Sequence, residues 1–129
     1  KNRAFKSNYI WRTPKVLIIN FKRFKYNDYG MLTSKNTKLI KYPIEDLDIS
    51  KYINPNSPYI NKCKYNLFGV NIHKSIGGMN NINFGHYISC VKNRYNNKWY
   101  IFDDNCVHEA GIDDIVNSNS YLLFYLRTN

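Results

Sequence analysis

His86-Tyr87-Ile88-Ser89-Cys90-Val91-Lys92-Asn93-Arg94-Tyr95-Asn96-Asn97-Lys98-Trp99-Tyr100-Ile101-Phe102 is the stretch that decides the fold class. Two runs rich in apolar, β-branched and aromatic residues, His86 to about Lys92 and Lys98 to Phe102, flank the short polar segment Asn93 to Asn97. That pattern predicts two antiparallel strands joined by a hairpin connection. Working outward, Ser120 to Arg127 predicts a last strand, apolar enough to be central, and Tyr65 to Ile72 another, with Leu67, Phe68 and Val70 apolar. Near the start, Pro14 precedes Val16-Leu17-Ile18-Ile19-Asn20-Phe21, which reads as a buried run.

The segments between are shorter. Asn27-Asp28-Tyr29-Gly30 signals a turn, and Lys38 to Tyr42 reads as a short strand ended by Pro43. Asp46 to Ile53 predicts a single helical turn, after which Asn54-Pro55-Asn56-Ser57-Pro58 breaks the structure. Gly111 to Val116 predicts a short helix, with Asp113 and Asp114 suited to its N-terminal end. Between Lys74 and Asn83 lies a polar loop holding Gly77-Gly78 and several Asn, a composition that predicts mobility. The expected fold is mainly antiparallel β with one or two short helices.

Composition narrows the function classes. The chain has 129 residues, of which 16% are aromatic, a load that suits a packed, strand-rich domain and excludes a disordered segment. No apolar run is long enough for a membrane-spanning helix, and the first residues are too polar for a signal peptide. A net charge of +10 invites a nucleic-acid reading. Two observations argue against it. The basic residues are spread along the whole chain, and the abundance of Lys, Asn, Ile and Tyr matches AT-rich coding. Cys63, Cys90 and Cys106 are too few and too scattered for a disulfide scaffold, and without a CxxC pair no structural zinc site is expected. A reducing, intracellular compartment is the expectation.

Three histidines are available for chemistry. His86 stands where a flexible loop meets a strand, and Gly85 before it permits close backbone approach. A strand behind it would hold the imidazole in one orientation, as a general base requires. Seventeen residues on, the partner strand ends in Phe102-Asp103-Asp104-Asn105, so a hairpin brings His86 and Asp103 to one end of the sheet. There an Asp can bond one ring nitrogen and fix the tautomer. Spacing alone leaves two readings open: a catalytic pair, or a surface His beside a strand-ending turn Asp. A nucleophile is lacking, since Cys90 lies about 13 Å along the strand from His86 at the usual rise. Cys63 and Cys106 read as incidental thiols, and no GxSxG elbow occurs. His108 reads as a surface residue in a polar turn.

The motifs together resemble the ubiquitin-specific protease family. Pro14-Lys15-Val16-Leu17-Ile18-Ile19-Asn20-Phe21-Lys22-Arg23-Phe24 is similar to the strand that follows that family's fingers region. Tyr42 to Ser50 fits its intervening segment, and Tyr65 to His73 the strand that leads into its substrate-covering loop. Gly85-His86-Tyr87, followed by Lys98-Trp99-Tyr100-Ile101-Phe102-Asp103-Asp104, is similar to its histidine box, and Ser120 to Tyr125 to its closing strand. The resemblance runs in order over nearly all of residues 1–129, placing them as the C-terminal half of the catalytic domain.

The resemblance implies a palm-like sheet, part of a papain-like α+β cysteine protease. It would hydrolyse the bond after ubiquitin's C-terminal glycine, with ubiquitin and ubiquitinated proteins as partners and no cofactor or metal in the chemistry. His86 matches the catalytic base, Asp103 the third triad member and Asp104 an assisting polar position. His73, Gly77, Gly78, Phe84, Gly85 and Tyr87 match the region that lines and covers the ubiquitin tail. The nucleophilic Cys belongs to a motif near the family domain's N-terminus, so a missing N-terminal half is the implied partner and this chain alone is expected to be inactive. Phe84 stands where the family often has a second Gly, and the loop between His73 and His86 is longer than usual. The alternative reading is a non-catalytic ubiquitin-binding module, and beyond it a basic nucleic-acid binder.

Overall fold

A computed structural model describes residues 3–75 and 85–128. The elements in chain order are β1 (Val16–Asn20), β2 (Phe24–Tyr26), β3 (Leu32–Lys35), β4 (Leu47–Asp48), a 3-10 turn (Ser50–Tyr52), β5 (Lys64–Ser75), β6 (Gly85–Lys92), β7 (Trp99–Asp103), β8 (Cys106–Glu109), α1 (Ile112–Ile115) and β9 (Ser120–Arg127). Every strand pairing is antiparallel. The main sheet runs β1-β9-β5-β6-β7-β8, with β4 beside the start of β5, while β2 and β3 form a separate hairpin. The mainly antiparallel fold with one short helix agrees with the sequence reading. Among the described residues no helix is long and apolar enough to cross a membrane.

Alternation along the strands builds the core. Val70, Ile72, Ile88, Cys90, Trp99, Ile101, Leu123 and Tyr125 are buried, and the register places them on one face of the sheet. That face is covered by Ile49, Ile53 and Ile115 from the connections and the helix. A bulge at Phe68 shifts the alternation of the long central strand by one residue. Tyr65 and Leu67 face the core before it, and Val70 and Ile72 after it. The opposite face leaves Val16, Ile18, Phe102, Val107 and Leu126 exposed.

Three local expectations are corrected. The run from Val16 is not buried throughout: β1 is an edge strand, with Ile18 56% exposed and only Leu17 and Ile19 packed on the core. Lys38 to Tyr42 is not a strand, and the strand of this region is β3, which begins six residues earlier in the chain. The carbonyls of Asn36 and Lys38 go to the Arg23 guanidinium instead of to a neighbouring strand. Cys106 to Glu109, read as a polar turn around His108, is the edge strand β8. Being exposed along its whole length, it carries none of the apolar alternation by which a strand is recognised.

Candidate active site

β5 and β6 pair with Lys74 opposite His86, and β6 and β7 with Ser89 opposite Phe102. Continuing that register sets Asp103, the last residue of β7, diagonally across from His86 at the start of β6. His86 Nε2 and Asp103 Oδ1 lie 2.6 Å apart, a short, charge-assisted hydrogen bond. Both side chains are about one-third exposed, His86 at 30% and Asp103 at 33%. Lys74 Nζ stands 3.7 Å from the other oxygen of Asp103. The hydrogen bond from His86 first, and then the neighbouring positive charges, hold the Asp103 carboxyl below the usual carboxylate range. Asp103 is therefore ionised wherever a neutral imidazole is needed. No hydrogen bond reaches His86 Nδ1 from the described residues, which leaves that nitrogen available to a further group.

Asp104 plays a lesser part. Its nearer oxygen lies 3.8 Å from His86 Nε2, outside hydrogen-bonding range, and its side chain is 80% exposed. With φ of 50° it occupies the left-handed region in the two-residue turn between β7 and β8, a conformation that Asp tolerates better than most residues. The ligand atoms of His86, Asp103 and Asp104 all fall within 4.8 Å of one another. Yet the 2.6 Å between His86 and Asp103 is a hydrogen-bond spacing. Two ligands of a tetrahedral ion with bonds of about 2.0 Å stand about 3.3 Å apart.

None of the three thiols is hydrogen-bonded to this pair among the described residues. Cys90 is fully buried and its pKa is pushed up to about 11, by burial first and then by Asp114. Burial also pushes up Cys63, with Asp48 adding to the effect. Cys106 is exposed and pairs with Asp103 across β7 and β8, but no hydrogen bond joins it to His86 among the described residues.

The positions read as substrate-binding divide into two groups. Gly77, Gly78 and Phe84, with residues 76–83 of the loop expected to be mobile, lie outside the described residues, while Lys74 and Ser75, read as the start of that loop, belong to β5. His73, Gly85 and Tyr87 come together on one patch. His73 lies within β5, only 6% exposed, opposite Tyr87. Its ring packs edge-on to Phe24 at 5.0 Å and to Tyr87 at 4.7 Å, while Tyr87 remains about half exposed. Sequence reasoning missed Lys35. Its ammonium donates to the His73 carbonyl, to Ser75 Oγ at 3.2 Å and to Asn119 Oδ1 at 3.0 Å, tying the β2–β3 hairpin to the end of β5. Nothing in the local pattern around Lys35 signals that contact, because its partners lie 38 to 84 residues away.

Burial, and then the Lys35 charge, lower the pKa of His73 below its ordinary 6.5, so the imidazole is neutral in the fold. The unfolded chain therefore binds more protons than the native state between the native pKa and about 6.5, and stability falls with falling pH in that window. The expected result is a melting temperature that drops more between pH 7 and pH 5 in the wild type than in His73→Asn. Equal drops would show that His73 does not titrate in this way.

A family model described as ubiquitin carboxyl-terminal hydrolase matches residues 4–125. Ubiquitin carboxyl-terminal hydrolase 15 of Rattus norvegicus is 43% identical over 119 residues, covering 92% of this chain and 11% of the relative. Ubiquitin carboxyl-terminal hydrolase 4 of Mus musculus is 38% identical over 120 residues, with the same two coverages. The chain thus spans about a tenth of the length of these curated relatives. Among solved structures, a chain of the SAGA Ubp8/Sgf11/Sus1/Sgf73 DUB module superposes with a TM-score of 0.72 at 28% identity, over 94% of this chain and 25% of that one. The same module bound to ubiquitin aldehyde gives 0.71 at 27% identity, over 90% of this chain and 25% of that one.

Proposed function

Since the chain belongs to the ubiquitin carboxyl-terminal hydrolase family, we propose that it supplies the acid–base half of a deubiquitinating cysteine protease. It is the palm-like, C-terminal half of a catalytic domain whose nucleophilic Cys stands elsewhere in the polypeptide. The observation that carries this reading is the 2.6 Å bond between His86 Nε2 and Asp103 Oδ1, with Nδ1 left for a thiol. Support comes from the similar DUB module that binds ubiquitin aldehyde, and from the two buried thiols, which burial keeps protonated and out of reach.

In the proposed reaction neutral His86 accepts the proton of the thiol at Nδ1, and the thiolate attacks the carbonyl carbon of ubiquitin's terminal glycine. Asp103 stabilises the imidazolium and keeps the ring turned towards the thiol. As the tetrahedral adduct collapses, the carbon–nitrogen bond breaks and His86 returns its proton to the departing lysine amine. Water, deprotonated by His86, then cleaves the thioester and releases ubiquitin with its carboxylate. Gly85, Tyr87 and the loop after β5 would admit the slender Gly-Gly tail and reject bulkier ends.

The test is turnover of a fluorogenic ubiquitin C-terminal substrate by the full-length protein and by residues 1–129. Turnover by the full-length protein alone is the expected result. Ubiquitin binding without turnover would favour a non-catalytic binding module. Turnover by residues 1–129 that is lost on Cys106→Ala would overturn the assignment of the nucleophile to another part of the polypeptide.

A further inference from the structure

We propose that His73 is a positioning residue for this reaction: its buried ring is the seat of Gly85, and through Gly85 it fixes the backbone from which His86 projects. The inference rests on the reading of His86 as the acid–base group. In the β5–β6 register, Ser75 opposes Gly85, Lys74 opposes His86 and His73 opposes Tyr87. Alternation therefore puts His73, Gly85 and Tyr87 on one face of the pair, and Lys74 and His86 on the other. The imidazole of His73 thus lies on the face of the strand pair opposite to that of His86, one residue along in register.

The fit between ring and glycine is tight. A Cβ added to Gly85 would lie 1.9 Å from His73 Nε2, 2.3 Å from Cε1 and 3.0 Å from Cδ2. All three of its nearest neighbours belong to the ring, so the ring bars a side chain here. Gly85 has no left-handed φ that would by itself demand glycine. Nor can the ring retreat. Phe24 and Tyr87 hold it edge-on. The His73 N–H donates to the Asn119 carbonyl at 3.0 Å, and the His73 carbonyl accepts from Lys35. Among the described residues His73 Nδ1 is buried without a hydrogen-bond partner. A histidine kept there with an unsatisfied nitrogen points to ring shape as the requirement, since apolar packing alone would favour Leu or Phe. The glycine before His86 thus makes an internal contact in addition to the close backbone approach that the sequence suggested.

A double-mutant cycle in the full-length protein, assayed with a fluorogenic ubiquitin C-terminal substrate, tests this. Displacing a catalytic group by about 1 Å can cost about a hundredfold. Gly85→Ala is expected to lower kcat by about that factor, and His73→Ala by about tenfold or more, with KM and ubiquitin Kd within a few fold. In the His73→Ala background Gly85→Ala should cost little, because the methyl enters vacated space. The acid limb of the pH profile of kcat/KM should move in His73→Ala, a change that loss of stability alone does not produce. An equal cost of Gly85→Ala in both backgrounds would overturn the proposal, as would unchanged kcat in His73→Ala. Should His73→Ala fail to fold, His73→Asn, a smaller truncation, enters the same cycle under the same criteria. His86→Ala, run alongside, separates the two readings. Retained turnover there removes the base assignment itself, whereas lost turnover there with normal His73→Ala removes this inference alone.

Discussion

His86→Ala in the full-length protein is expected to lower kcat/KM for a ubiquitin C-terminal substrate by at least about a thousandfold. The same imidazole is needed twice, to take the thiol proton and to return it to the leaving amine. Among the described residues no other histidine can replace it: His73 is buried behind the strand, and His108 lies on the exposed edge strand β8. Methyl in place of imidazole also leaves Asp103 without the hydrogen bond that holds it ionised, but Lys74 stays nearby. The fold should survive, since the His86 side chain is 30% exposed and outside the core. Ubiquitin affinity should stay within a few fold, because a large protein surface is recognised mainly away from one side chain. A drop in kcat/KM of less than about tenfold would count against the role assigned to His86.

The largest stability effect is expected at Arg23. Its guanidinium is only 2% exposed and no carboxylate meets it among the described contacts. Instead Nε donates to the Ser120 carbonyl at 2.5 Å, and Nη1 to the carbonyls of Asn36 at 2.8 Å and Lys38 at 3.0 Å, with the Phe21 ring 5.3 Å away. The side chain thus fastens the start of β9 to the irregular segment after β3. Burial lowers its pKa from the ordinary value. Arg23→Ala would leave the buried Ser120 carbonyl unpaired, at about 1–3 kcal/mol, and would take from the part-buried carbonyls of Asn36 and Lys38 a partner that water replaces in part. With the packing of the buried side chain lost as well, a net loss of about 2–4 kcal/mol is expected from the denaturation midpoint. Arg23→Lys should recover only part of it, because one ammonium cannot reproduce a planar fork spanning two segments. A variant Arg23→Ala within about 0.5 kcal/mol of the wild type would show that water replaces the guanidinium without cost.

The parts of the fold that were legible in the sequence are those whose signal is local. The hairpin from His86 to Phe102 and the closing strand from Ser120 declare themselves by apolar runs and turn residues, and the structure places them within a residue or so of the reading. The His86–Asp103 approach followed from that hairpin, because antiparallel register carries one strand's start to its partner's end. Other features depend on contacts across the chain. Edge position decides why Ile18 is exposed and β8 carries no apolar pattern. The Arg23 and Lys35 networks join residues up to 97 apart, and the bulge at Phe68 shifts the phase of β5 without any Gly or Pro at the bulged residue. His73 shows the difference most clearly. By sequence it borders a loop, yet three aromatic and backbone contacts from distant segments make it a buried wedge.

Asp103→Ala set beside Asp104→Gly, with kcat/KM and ubiquitin Kd measured on both full-length variants, tests the His86–Asp103 couple most directly. Glycine is chosen at 104 because the turn there needs a φ of 50°, so the carboxylate is removed without strain. Losing Asp103 takes away the 2.6 Å bond that orients the imidazole, whereas Asp104 stands 3.8 Å off and mostly in solvent. The account predicts a loss of about a hundredfold for Asp103→Ala and less than about tenfold for Asp104→Gly, with Kd within a few fold in both. A larger loss at Asp104 than at Asp103 would contradict it.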